Sequence, residues 1–243
     1  MRIRIKFRKN GVMRFVGHLD IMRYFQKAMR RADIDIAYSE GFSPHQIMSF
    51  AAPLGVGITS DGEYLDIETA GAVSTKDAVR RLNGAMAEGM EVVEYAALRQ
   101  DAKKAMTAVA AADYFVYFKK RDDFSQAEIE DMIGKYYRER ACIEVTKQTK
   151  KSEKTIDIKP LIYGFSSHME EVDMPNTELD SCRGFFLRLC TGSTDNIKLV
   201  LKDFYRFSGR EYDPFNLQIH RLEIYERAEN GLRPLYQAGD PVE

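Results

Sequence analysis

Two of the four histidines stand in short polar runs from which a site could be built. His18 lies in Gly17-His18-Leu19-Asp20, and His45 closes Tyr38-Ser39-Glu40-Gly41-Phe42-Ser43-Pro44-His45. The first run leads into a helix, whose N-terminus offers free N–H groups and partial positive charge to a phosphate or carboxylate. If the two runs meet, His18 and His45 form an acid–base pair for a phosphodiester or a ribose 2′-OH. Ser39, Ser43 and Arg23 would then lie beside them. The plainer reading is that Asp20 caps the helix and His18 bonds a turn. His18 and His45 are the catalytic candidates. Asp20, Gly41, Pro44, Glu63 and Asp66 are the positions expected to shape the motifs.

Three basic features could hold nucleic acid. On the first helix Ile21, Phe25, Ala28 and Ala32 form an apolar stripe, which leaves Arg23, Lys27, Arg30 and Arg31 on another side. In the first strand Ile3, Ile5 and Phe7 alternate with Arg2, Arg4, Lys6 and Arg8. The basic set is expected on the open face of a sheet, where single-stranded RNA binds in several folds. Against this, Asp66 and Glu68 of a neighbouring strand could neutralise it. The third feature is a lysine-rich hairpin with Lys150, Lys151 and Lys154 near its tip, able to follow a phosphate backbone. Lysines also keep edge hairpins from aggregating. The phosphate-binding candidates are therefore Arg23, Lys27, Arg30, Arg31, Ser43, Lys150, Lys151 and Lys154.

The elements that must position these residues follow from periodicity. Residues 2–9 read as a strand, a helix follows from Asp20, and turn-formers fill 38–62 around a short extended segment at 47–52. Residues 63–68 form a strand, 75–88 a helix capped by Ser74 or Thr75, and 91–98 a strand. That order, βαββαβ, predicts a ferredoxin-like sandwich. Residues 99–112 are a short helix or a linker. The second half repeats the rhythm. It has a strand at 113–120, a helix at 125–139 opened by a Ser125/Glu128 capping box, and strands at 142–148 and 154–163. After a polar loop at 166–183 come a strand at 184–190, a helix at 195–207 and a strand at 217–226. The expectation is an α+β chain of two ferredoxin-like sandwiches in tandem, 1–100 and 112–228, with a loose tail over 229–243.

Composition excludes several classes. The chain has 243 residues, 44% hydrophobic, enough for a core, so wholesale disorder is ruled out. No apolar run reaches the roughly 18 residues of a membrane span, and residues 1–6 lack the apolar core of a secretory signal. A cytoplasmic protein without membrane contact is expected. Three cysteines without CxxC spacing argue against a disulfide scaffold and a structural zinc site, so no metal is expected. The absence of CxxxCxxC removes the usual cluster ligands of radical S-adenosylmethionine (SAM) chemistry. Nor is there a Walker loop, GxGxxG, GxSxG or HExxH. Net charge is -1, which gives no global argument for nucleic acid. Residues 1–50, however, hold ten Lys/Arg against four acids, so basic charge is concentrated there.

A denser pattern runs through the same region. Phe15-Val16-Gly17-His18-Leu19-Asp20, Arg30-Arg31-Ala32 and Tyr38 through His45 are followed by Ser49-Phe50-Ala51, Pro53-Leu54, Val56-Gly57 and Glu63-Tyr64-Leu65-Asp66. This resembles the uncharacterised radical-SAM-associated family, encoded beside a radical SAM protein or fused to its C-terminus. The likeness is dense over residues 1–70 and looser through Thr149–Pro160, with Asp157-Ile158-Lys159-Pro160. Many members carry Pro-Lys after the motif histidine. Gln46-Ile47 stand there in this chain, so no lysine contact is carried over. The resemblance implies a radical SAM protein as partner, with RNA as a second one. SAM and the iron–sulfur cluster are then implied only in the partner, with no cofactor bound by this chain.

Three functions follow as expectations. The first is a non-catalytic accessory protein that binds tRNA or rRNA, or presents another substrate, to the radical SAM partner. The second is an RNA-processing or RNA-modifying enzyme using His18 and His45. The third is a protein-interaction module without nucleic acid.

Overall fold

In the computed structural model, residues 1–119, 124–148, 153–168 and 182–243 are described. The chain is mixed α+β, with few helices, and every strand pair of stated register is antiparallel. It divides into two compact units, Met1–Ala110 with Glu223–Glu243, and Ala111–Leu222. Among the described residues no helix is long and apolar enough to cross a membrane.

Unit 1 opens with strand β1 (Arg2–Lys9), then helix α1 (His18–Arg31), strands β2 (Met48–Phe50) and β3 (Thr59–Glu68), helix α2 (Thr75–Ala85) and strand β4 (Met90–Leu98). A single turn, α3 (Ala105–Ala108), lies within the expected linker. β1 pairs with β3 on one side and β4 on the other, and β2 pairs with β3, giving the order β4-β1-β3-β2. Alternation along β1 sends Ile3, Ile5 and Phe7 into one core with Ile21, Phe25 and Met29 of α1 and Ala78 and Leu82 of α2.

Three expectations for this unit are corrected. Helix α1 begins at His18 with Gly17 as its N-cap, so Asp20 is a first-turn acid that pairs with Arg23 at 3.1 Å. The basic side of β1 is not open. Arg4 is 1% exposed and gives Nε and Nη2 to Asp66 at 2.8 and 3.0 Å, with Nη1 and Nη2 also reaching the Leu235 and Lys103 carbonyls. Lys6 donates to Glu223 at 2.7 Å, and Tyr64 donates to the same carboxylate at 2.6 Å. Burial raises the Glu223 carboxyl above its ordinary range although Lys6 opposes the shift. Burial, with the Glu223 charge, pushes the Tyr64 hydroxyl well up.

The third correction concerns residues 229–243, which are not a loose tail. Strand β11 (Gly231–Pro234) pairs with the end of β10 (Leu217–Ala228), and β12 (Gly239–Pro241) pairs with β4. The 3-10 turn Leu235–Ala238 between them supplies the carbonyl that takes Arg4.

Unit 2 runs β5 (Val109–Phe118), α4 (Gln126–Ile133), β6 (Glu144–Gln148), β7 (Glu153–Asp157), β8 (Ile162–Ser166), β9 (Gly184–Leu189), α5 (Thr194–Phe207) and the first half of β10. Its strand order is β10-β5-β9-β8, and β6 and β7 form a separate two-stranded ribbon. The predicted Ser125/Glu128 capping box is present. The strand expected over 154–163 breaks in two, because a 3-10 turn at Lys159–Leu161 carries Pro160, which cannot donate to a ladder.

Candidate functional site

The run Tyr38–His45 folds as a small hairpin on the edge of unit 1. Tyr38 bridges Gln46, Ser39 N–H donates to the His45 carbonyl at 2.8 Å, and Ile47 N–H donates to Ala37 at 2.9 Å. Gly41, at φ +108°, allows the turn in a region where side chains are strained. A Cβ there would meet nothing within 4 Å, so the backbone requires glycine and the surroundings do not. Phe42 stands at the tip fully exposed, with Ser43 and Pro44 beside it also exposed.

Alternation along this hairpin divides its side chains between two neighbours. Tyr38 and Gln46 engage α1. Gln46 Nε2 donates to the Gln26 carbonyl at 3.3 Å and to the Tyr38 hydroxyl at 3.4 Å. Gln46 and Arg30 both hydrogen-bond the Tyr38 hydroxyl and hold its pKa below the ordinary value. Ser39 and His45 engage each other instead. Ser39 Oγ lies 2.8 Å from His45 Nδ1 and accepts the His45 N–H at 3.1 Å. Both residues border a cavity of about 310 Å³ that also touches Arg2, Ser49, Glu68 and Lys104.

The hairpin therefore lies against the basic side of α1. Arg23, Lys27 and Arg30 follow one another at i, i+4 and i+7, and all three are exposed, as is Arg31. Arg23 pairs with Asp20 alone among the described residues, with both side chains about two-thirds exposed. Arg31 donates to the Ala85 carbonyl at 2.9 Å. It shares an open depression of about 630 Å³ with Asp33, Arg80 and Arg81. Arg80 and Arg81 were missed at the sequence level. Their signal was an Arg-Arg pair on a second helix, legible only once α2 was known to pack beside α1. Both pair with Asp77, whose carboxyl they hold below its usual range.

The structure brings together Arg30, Tyr38, Gln46, Ser39 and His45, but it does not bring His18 to His45. His18 packs edge-on against Phe50, ring centroids 5.1 Å apart, in a recess of its own with Phe7, Lys9, Leu54 and Glu63. His45 borders the other cavity. The hydrogen-bond reach needed for a shared proton transfer is therefore not provided. Glu63 is buried. Asp66 is consumed by Arg4 and by the Ala105 N–H at 2.7 Å. In unit 2, Lys154 is exposed on β7, opposite Lys147 in the ladder. Lys150 and Lys151 lie outside the described residues. Among the described residues, no three His, Cys, Asp or Glu side chains are grouped to hold a metal ion.

The family described as an uncharacterized protein conserved in bacteria (DUF2344) matches residues 2–198. Comparison with curated proteins gives no match.

Proposed function

Since the chain belongs to DUF2344, an uncharacterised family conserved in bacteria, we propose its function from its own surfaces: unit 1 binds single-stranded RNA for a radical SAM partner. One observation carries the RNA half. The exposed stripe Arg23, Lys27, Arg30 lies on the helix to which Gln46 ties a hairpin with exposed Tyr38 and Phe42. A single strand is held by cations along its backbone and by aromatic faces under its bases, and both are within one local surface here. Arg31, Arg80 and Arg81 extend the positive charge across α2.

The partner half rests on the resemblance over residues 1–70, and an apolar surface supports it. Val12, Phe15, Leu19 and Val56 are each more than half exposed around the start of α1. The Gly57 N–H donates to the Arg14 carbonyl at 2.8 Å, which holds the Val56 loop to the Val12–Phe15 turn. SAM and the cluster belong to that partner in this reading, in the cytoplasm. The role is accessory, because His18 and His45 border separate cavities. For the architecture we read two ferredoxin-like sandwiches in tandem. The orders β4-β1-β3-β2 and β10-β5-β9-β8 support this, with the β6–β7 ribbon inserted in the second.

The test is a salt titration of binding to an unstructured RNA of mixed sequence. The wild-type chain is expected to bind with log K falling linearly against log salt. Replacing Arg23, Lys27 and Arg30 together with Ala is expected to lower affinity and flatten that slope by roughly 0.7 for each phosphate no longer neutralised. A folded triple variant with unchanged slope would remove the stripe from the site. The partner half is checked by nuclease-treated co-purification with a radical SAM protein from the same cell, expected to fail with Phe15→Ser/Leu19→Ser.

A further inference from the structure

The cavity behind the hairpin has chemistry that the RNA-binding stripe does not use. Its apolar side chains are Ile47 and Leu98, whereas Met48 and Ile67 border it only from behind, since they alternate with Ser49, Asp66 and Glu68 and pack into the core under the helices. Its polar groups lie around Ile47 and Leu98. Asp66 adds no free negative charge, because Arg4 and the Ala105 N–H occupy both of its oxygens. Arg2 spends one N–H group on the Ala102 carbonyl at 2.7 Å, and Lys104 is exposed. Two cations therefore face one remaining carboxylate, Glu68. The Ser49 hydroxyl and His45 Nε2 complete the set, since His45 Nδ1 is held by Ser39.

This pattern has a definite chemical reading. Two cations beside one another recognise a phosphate. A carboxylate with a hydroxyl recognises vicinal hydroxyls, the signature of ribose. Apolar walls recognise the face of a base. At about 310 Å³ the cavity is at the small end of ligand sites, room for one nucleotide and not two.

We infer that this cavity binds a single nucleoside 5′-monophosphate unit, with Arg2 and Lys104 on the phosphate, Glu68 and Ser49 on the ribose, and Ile47 and Leu98 against the base. In RNA held on the α1 stripe, that unit is one nucleotide turned out of the strand. This source rests on the RNA reading above, whereas the cavity chemistry does not. The hairpin links the two places, since Tyr38 and Gln46 face α1 while Ser39 and His45 border the cavity. A turned-out base is the form in which a modifying enzyme's substrate must be offered, because its edges are hidden while it is stacked.

The experiment titrates the full chain with each of the four nucleoside 5′-monophosphates, following backbone amide resonances, with the nucleosides and 2′-deoxynucleotides as comparators. At least one ribonucleotide is expected to shift the Ser39, Ser49 and Glu68 amides with millimolar or tighter affinity. The matching nucleoside and deoxynucleotide should bind more weakly. Lys104→Ala, at an exposed position, should weaken binding roughly five- to tenfold. Ser49→Phe, which fills the cavity, should abolish it.

No shift at about 10 mM of any ribonucleotide would overturn the inference. So would shifts that a folded Lys104→Ala leaves unaltered. RNA binding without mononucleotide binding would sink the cavity and keep the stripe. Mononucleotide binding without RNA binding would keep the cavity, as a site for free nucleotides, and sink the stripe.

Discussion

Strand β1 carries five Lys or Arg residues and helix α1 four, and the fold treats the two sets in opposite ways. On β1, Arg4 and Lys6 are buried against Asp66 and Glu223, and Arg8 reaches Glu91 at 2.9 Å. On α1, Arg23, Lys27, Arg30 and Arg31 face solvent with Asp20 as the one carboxylate paired to them among the described residues. The cause is geometric. A strand has a neighbour on each side at about 4.8 Å, so its charges meet whatever those neighbours present. The outer face of a surface helix has no such neighbour. Charge counted along a sequence is therefore not charge available to a ligand.

The largest expected effect breaks the β1 side of this comparison. Glu223→Gln leaves Lys6 buried without its counter-ion, which costs on the order of 3–5 kcal/mol. Urea denaturation should show that loss, while the folded fraction keeps its RNA affinity. The pH dependence has a definite sign. Glu223 has a raised pKa in the fold, so the native state binds its proton more tightly than the unfolded chain does. Its contribution to stability is full below the unfolded carboxyl pKa of about 4.5 and is lost as pH rises through the raised folded value. Glu223→Gln should lack that dependence, so the wild type's advantage over the variant should shrink with rising pH across the window.

Next in size is Phe42→Ala, at the tip of the hairpin beside the α1 stripe. Loss of a stacking face costs about 1–3 kcal/mol per base, roughly a five- to 150-fold drop in RNA affinity. Stability should hardly change, because Phe42 is fully exposed. A folded Phe42→Ala with wild-type affinity would show that the hairpin aromatics take no part and that binding is purely ionic.

These predictions mark where the sequence was legible. The apolar stripe of α1 and the alternation of β1 were readable because both reflect local periods, and Ile21, Phe25, Ala28 and Ala32 are buried as their spacing requires. Caps that act within three residues were readable too, as at Ser74 and Ser125. The fate of the β1 charges was not. Glu223 and Leu235 are more than 200 positions away from Lys6 and Arg4, and no local pattern announces such a partner. Whether His18 and His45 share a cavity was unreadable for a related reason. Both are polar residues near turns, but β2 and its approach lead them to different cavities. What joins Tyr38–His45 to α1 is Gln46, a buried glutamine whose role is invisible without the helix carbonyl it binds.

The α1 side is sharpened by single substitutions in the stripe. Lys27→Ala should reduce the salt slope by about 0.7 without altering stability, since its side chain is exposed. Arg30→Ala should match that reduction and in addition release the Tyr38 hydroxyl, whose pKa should climb back toward its ordinary value. That titration reads the hairpin's attachment independently of RNA. A salt slope that moves for Lys27 but not Arg30 would place the RNA backbone toward the start of the helix and away from the hairpin.

The smallest expected effect is the one with two signs. Asp20 lies in the first turn of α1, where a carboxylate favours the helix, and it pairs with Arg23. Asp20→Asn should therefore cost stability, by about 0.3–0.5 kcal/mol at so exposed a pair. RNA affinity should rise slightly, because Arg23 is released and a negative charge leaves the stripe. A purely structural role for Asp20 predicts the first change without the second. The same logic on α2 gives a control, since Asp77→Asn frees Arg80 and Arg81. If affinity rises for Asp20→Asn alone, the RNA path stays on α1. If it rises for both, the path crosses from α1 to α2 over the depression at Arg31, and the binding surface is the pair of helices.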